Sequence, residues 1–325
     1  MPAGGPPPVA AARRVQMYIV PPRDPETAGD ARRGKRYGSR MGGPSVAWMD
    51  GGLVPFGEAR VPIEDRGLQL AESVYEVIAI TGGRVRMLDA HARRMQAGAA
   101  ELGIADGVPD DESWERIAGE LCARDPVREG LLYAQVSGGV APRAHVPKER
   151  PRPSFWAYVR AYRFPREADV ARGLRAVTQL DPRWGRCDLK TVMLLPAVIA
   201  KRAAAARGAG EAIFVGPEGE VREGASSNVL LVEGRTLVSP VQTSHLLPGT
   251  TSPRIQGLAA DAGLDVRAEA VSVDRLRAAD EVFVASTTFL VMPITHVDGE
   301  PIGRGTAGPI TADLAGRLRD DLELD

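Results

Sequence analysis

From Ser45 onward the chain runs as short apolar stretches separated by polar breaks. Val46 to Asp50, Leu53 to Phe56 and Ala59 to Ile63 read as strands, with Gly51-Gly52 as the first turn. The sharpest hairpin follows. Ser73 to Ile80 is β-branched and aromatic, Thr81-Gly82-Gly83 supplies the turn, and Arg84 to Leu88 returns. Side chains alternate along a strand, so Tyr75, Val77 and Ala79 share one face and Glu76, Ile78 and Ile80 the other. Asp89 reads as the N-cap of a helix reaching about Leu102, with Gly103 as its stop. A second helix covers about Glu112 to Ala123.

Strands are expected over 130–137 and 154–162, separated by a loop rich in Pro and charge, Pro142 to Pro153. The pattern lapses at Phe164 to Ala168, which marks a domain joint. Beyond it come a strand over 173–180, a helix from about Val192 to Arg207, strands over 211–216, 227–232 and 236–239, and a helix opened by the Gly249 region to about Ala262. Strands over 265–271, 281–286 and 290–297 and a terminal helix from about Pro309 complete the chain. Long hairpins with few β-α-β alternations predict an α+β fold. The expected organisation is an extension over 1–44, a smaller N-terminal domain over 45–163, a linker over 164–170 and a larger C-terminal domain over 171–325.

Composition narrows the function classes. The 325 residues carry 41 Lys+Arg against 42 Asp+Glu, so no global field recruits nucleic acid or an anionic membrane. The balance is uneven along the chain: residues 1–44 hold 15 Gly or Pro and 8 basic against 3 acidic residues, and disorder is expected there. The remaining body is mildly acidic. Cys122 and Cys187 stand far apart, which fits a reducing cytoplasm, and the four His show no metal-ligand spacing, so no metal is expected. No apolar run is long enough to predict a membrane span.

Only four residues are Lys: Lys35, Lys148, Lys190 and Lys201. Lys35 lies in the extension, Lys148 in a charged loop, and Lys201 beside Arg202 on what reads as an exposed helical face. Lys190 closes Cys187-Asp188-Leu189 where an irregular segment gives way to an apolar helix, a kind of edge at which side chains line clefts. Three polar, small-residue segments bear on it: Glu223-Gly224-Ala225-Ser226-Ser227-Asn228, Leu247-Pro248-Gly249-Thr250-Thr251 and Ser286-Thr287-Thr288. Each alone reads as an N-cap or turn. Together they describe an anion pocket near an amine, with the helix start after Gly249 offering backbone N–H groups to a phosphate.

In this order, Asp188-Leu189-Lys190, the Glu223 segment, Gly249-Thr250-Thr251 and Ser286-Thr287-Thr288 resemble the signature of the fold-type IV pyridoxal-phosphate enzymes. Asp65-Arg66-Gly67 and Leu88 to Arg94 agree with it, and the resemblance covers about residues 46 to 320. It implies a small N-terminal α/β domain and a C-terminal pseudo-barrel holding pyridoxal 5′-phosphate. It makes Lys190 the internal-aldimine lysine and acid/base, and it sets Glu223 against the pyridine nitrogen. It gives the phosphate to Arg94, Thr250, Thr251, Ser286 and Thr287.

Within that family, Pro142-Arg143-Ala144-His145 and Arg183 to Lys190 look like the D-amino-acid aminotransferases. The resemblance implies that Arg143 and His145, contributed across a homodimer, join Tyr75 and Tyr133 in holding the substrate α-carboxylate. A D configuration would then turn its Cα–H toward Lys190. The expected reaction passes the amino group of a D-amino acid such as D-alanine to a 2-oxo acid such as 2-oxoglutarate. A branched-chain-type or amine transaminase and an aminodeoxychorismate-type lyase are the alternatives. Two departures stand out: Ala71-Glu72-Ser73 replaces the usual Gly-Asp-Gly, and Ser252-Pro253-Arg254 follows Thr251 where an Arg commonly follows directly. Trp184 and Leu247 are candidate pocket walls.

Overall fold

The computed structural model describes residues 43–324, so the expectation of disorder over 1–44 lies almost wholly outside the described residues. The first sheet contains β1 (Val46–Met49), β2 (Gly52–Pro55), β3 (Ser73–Thr81), β4 (Arg84–Val85), β5 (Gly130–Ser137) and β6 (Ser154–Ala161), ordered β2-β1-β6-β5-β3-β4 with every pair antiparallel. Helices α1 (Arg66–Leu70), α2 (Leu88–Glu101) and α3 (Asp111–Arg124) accompany it. The alternation along β3 sorts its faces as expected. Ile78, Ile80, Leu132 and Val136 bury completely against Met95 and Ala99 of α2 and Trp114 and Leu121 of α3. Each such side chain contributes roughly 1.5–3 kcal/mol through removal from water. The opposite face carries an aromatic row, with Tyr133 stacked between Tyr75 and Tyr158 at centroid distances of 5.9 and 5.3 Å.

The second part comprises β7 (Leu174–Leu180), β8 (Glu211–Val215), β9 (Val221–Gly224), β10 (Asn228–Glu233), β11 (Thr236–Pro240), β12 (Asp265–Glu269), β13 (Glu281–Ser286), β14 (Leu290–Val297) and β15 (Glu300–Pro301), with α4 (Glu167–Arg172), α5 (Leu195–Ala206), α6 (Thr251–Asp261), α7 (Val273–Ala278) and α8 (Pro309–Asp321). The strand order is β12-β11-β10-β13-β14-β7-β8-β9, with β15 on β14. The sheet is mixed, since β7 runs parallel to both β8 and β14 and β11 runs parallel to β12. It curls so that β9 approaches β10 and β11, leaving apolar side chains inside the curl and another layer beneath α6 and α8. The architecture is α+β.

Several local expectations are corrected. Residues 59–63 form no strand, because Phe56 to Glu58 turn the chain out of the sheet. Asp89 lies in the first turn of α2 rather than capping it; the N-cap is Met87, and Asp89 pairs with Arg93. The helix expected from Val192 starts at Leu195, with Pro196 in its first turn, where a missing N–H costs nothing. Glu223 sits at the end of a strand, β9, that the polar text around it concealed. Among the described residues no helix is long and apolar enough to cross a membrane, and no His/Cys/Asp/Glu group could hold a metal ion.

Candidate active site

A cleft of about 1270 Å³ gathers Tyr75, Arg94, Lys190, Glu223, Thr250, Thr251, Ser286 and Thr287. Lys190 arrives on an irregular segment that pairs with β3: Val74 bridges Thr191, and the Tyr75 N–H donates to the Lys190 carbonyl at 3.1 Å. The Nζ of half-buried Lys190 lies over the Tyr75 ring, 4.4 Å from its centroid. Trp184 and Leu247 also line the cleft.

Glu223 is almost fully buried. Its Oε1 accepts from Arg183 Nη1 at 2.5 Å and its Oε2 from the Leu247 N–H at 2.9 Å. Burial pushes its carboxyl up to about 7, while the charge and hydrogen bond of Arg183 pull the other way. Arg183 also forks onto Asp181 and lies over the Phe214 ring, 4.4 Å from its centroid. The acid is thus dry and tied to one guanidinium, in reach of the cleft.

At the other end, β3 and α2 hold Arg94. Its Nε and Nη2 donate to the two oxygens of Glu76, each at 2.7 Å, and Nη1 donates to the Pro248 carbonyl at 2.9 Å. Two of the five guanidinium N–H groups remain for another acceptor. His91, three residues earlier on the same helix face, places Nδ1 2.6 Å from Glu76 and Nε2 3.2 Å from the Thr250 hydroxyl. Burial would raise the Glu76 pKa, yet hydrogen bonds and charge from Arg94 and His91 prevail and hold it at about 2. Helix α6 starts beside this cluster at Thr250, and no side chain caps its first N–H groups.

A family model for amino-transferase class IV matches residues 73–297. The chain belongs to the class IV aminotransferases. The D-alanine aminotransferase of Bacillus licheniformis is 38% identical over 274 residues, which is 84% of this chain and 96% of that protein. The D-alanine aminotransferase of Listeria monocytogenes is 36% identical over 265 residues, 81% of this chain and 91% of that protein. Among solved structures, the branched-chain aminotransferase of the archaeon Thermoproteus uzoniensis with norvaline shares the fold with a TM-score of 0.74 at 25% identity, covering 85% of this chain and 94% of that one.

Three expected substrate residues of this aminotransferase stand apart from the cleft lining. Tyr133 spends its hydroxyl on Gln135 Oε1 at 2.6 Å within the aromatic row. Arg143 and His145 are exposed on their loop. That loop is fixed from behind: buried Arg66 donates to the Ala144 and His145 carbonyls at 2.7 and 3.1 Å and pairs with Glu72 at 2.5 Å. Lys201 is corrected as well. It lines the cleft, but its Nζ donates to the Gly210 carbonyl at 2.8 Å and lies 3.2 Å from buried Glu211.

Glu76, His91, Arg183 and Asp181 received no role from sequence reasoning. One clue to Glu76 existed. Strand alternation sets it among Ile78 and Ile80, and a carboxylate on an apolar face requires a cation opposite. His91 and Arg94, three apart on the next helix, could supply it.

Proposed function

We propose that this aminotransferase uses pyridoxal 5′-phosphate to move the amino group of a D-amino acid such as D-alanine to a 2-oxo acid such as 2-oxoglutarate, giving pyruvate and D-glutamate. The observation that carries the reading is the meeting in one cleft of the Lys190 amine, the buried Glu223 carboxyl and the uncapped start of α6. The residues suit the cofactor. Gly249 leaves the approach to α6 open, since a Cβ there would stand 1.9 Å from Asn228 Oδ1. The N–H groups after it, the hydroxyls of Thr250, Thr251, Ser286 and Thr287, and the remaining Arg94 N–H groups form a donor set for a phosphate.

When bound, the cofactor supplies an aldehyde that condenses with amines and a ring that withdraws electrons. Lys190 Nζ is the amine that would hold the cofactor, and it would serve as the base that takes the proton from the substrate Cα and as the acid that returns it. Glu223 would oppose the ring nitrogen with a carboxylate and so favour a proton there. The Tyr75 ring limits where the Lys190 amine can move.

Arg143 and His145 are read as carboxylate donors of a second copy of this chain. Their exposure supports this, as do exposed Ile63, Leu68 and Val146 around the same loop and Leu195 on α5, which a partner would cover. Residues 45–163 and 171–325 are read as two domains joined by 164–170, and the free thiols Cys122 and Cys187 fit a reducing cytoplasm. Chiral chromatography of a reaction of D-alanine with 2-oxoglutarate tests the reading. D-Glutamate and pyruvate in equal amounts are expected; L-glutamate, or no product, contradicts it.

A further inference from the structure

Behind Glu223 runs a row of alternating charges. Glu223 Oε1 meets Arg183 Nη1 at 2.5 Å, and Arg183 Nε and Nη2 fork onto Asp181, each at 2.9 Å. Asp181 Oδ2 meets Arg222 Nη1 at 3.1 Å, and Arg222 Nη2 meets Glu220 Oε1 at 2.9 Å. Side-chain exposures of 6, 14, 0, 10 and 42% along this row show that it leads from a dry cleft wall to solvent. Its outer end depends on Gly216, where a Cβ would stand 1.5 Å from the Glu220 carboxylate.

We propose that Asp181, Arg222 and Glu220 are positioning residues that act through Arg183 to keep Glu223 anionic. The proposal rests on the reading of Glu223 as the partner of the cofactor ring nitrogen. A carboxyl this deeply buried is costly to ionise, and one guanidinium offsets that cost. Asp181 grips the same guanidinium bidentately and so competes for its charge. Arg222 neutralises Asp181, which returns the field of Arg183 to Glu223, and Glu220 moderates Arg222. The other groups facing Glu223 are the Lys190 ammonium, the buried Cys187 thiol, the Asn228 amide and the Leu247 N–H. The His245 carbonyl accepts from Arg183 at 3.2 Å. All of these are unchanged by substitutions at the outer end of the row.

Alternation fixes the sign of each effect. Loss of the positive charge at Arg222 should make Glu223 harder to ionise, and loss of the negative charge at Glu220 should make it easier. The test is the dissociation constant of pyridoxal 5′-phosphate from the full chain between pH 5.5 and 9, followed by tryptophan quenching after cofactor removal. Wild-type affinity should fall on acidification through a step that Glu223→Gln lacks. Arg222→Gln should move that step up by about half to one pH unit, a through-protein charge effect at intermediate dielectric. Glu220→Gln should move it down by less, since solvent screens that carboxylate, and Arg222→Lys should restore the wild-type midpoint. Steps that do not move, or move the same way in both Gln variants, overturn the proposal while leaving Glu223 in its role. A step that survives in Glu223→Gln removes the reading of Glu223, and the proposal with it.

Discussion

Tyr75 and Lys190 are joined twice: backbone to backbone, with the Tyr75 N–H on the Lys190 carbonyl at 3.1 Å, and side chain to side chain, with Nζ 4.4 Å from the ring centroid. The hydrogen bond ties the lysine segment to β3, so the amine is positioned by the first sheet although it belongs to the chain that builds the second. A partly shielded cation–π contact contributes about 1 kcal/mol. Tyr75→Leu should therefore lower the stability of the cofactor-free protein by about 1 kcal/mol, whereas Tyr75→Phe, which keeps the ring, should leave it near wild type. Equal losses in both variants would reject the ring contact as the cause.

Glu76 anchors Arg94, and its pKa predicts how that anchor responds to acid. A carboxyl held at about 2 in the folded chain, against a usual 4.5, contributes stability that is present above about pH 4.5 and is lost as pH falls toward 2. Glu76→Gln leaves Arg94 without its carboxylate, so it should lower stability near neutrality by on the order of 3 kcal/mol. Denaturant melts at a series of pH values should show the two proteins converging between pH 4.5 and 2. A constant gap would contradict the ionic account.

Ala71 occupies a left-handed conformation, φ 57° and ψ 21°, as the C-cap of α1, where its N–H donates to the Arg66 carbonyl. Ala71 thus holds a backbone shape that favours Gly, under strain. Ala71→Gly should stabilise the protein by roughly 0.5–1 kcal/mol, the relief of the Cβ clash exceeding the entropy that Gly loses. Urea unfolding with an unchanged slope and a higher midpoint is expected. A lower midpoint would show that the Cβ is not the source of strain.

The reading of Arg143 as a residue acting on a partner's cleft has a direct consequence. The Arg143→Ala and Lys190→Ala proteins should each be nearly inactive on D-alanine. Mixed and allowed to exchange subunits, they should recover activity, because the Arg143→Ala subunit keeps Lys190 and receives Arg143 from its partner. Absence of recovery, with exchange verified by mass, would place Arg143 in its own cleft or outside catalysis.

What the sequence made legible followed from local chemistry. Lys190 stood out by its rarity and its position at an irregular edge, and the helix start after Gly249 was readable from the small polar residues that open it, though its lack of a side-chain cap was not. Faces of β3 were readable because alternation is strict in a strand buried on one side. The hidden parts depend on long-range pairing. Arg183 gains its partner only when β9 brings Glu223 to it, and Lys201 reads as solvated until β8 brings Glu211 beneath it. Residues 59–63 are apolar enough for a strand, yet the turn at Phe56 to Glu58 carries them away from any partner.

The most direct test of the central claim is the half-reaction. Purified protein, yellow from a long-wavelength cofactor band that Lys190→Ala lacks, should bleach when mixed with D-alanine and should regain the band on addition of 2-oxoglutarate. Bleaching by L-leucine and not by D-alanine would contradict the account.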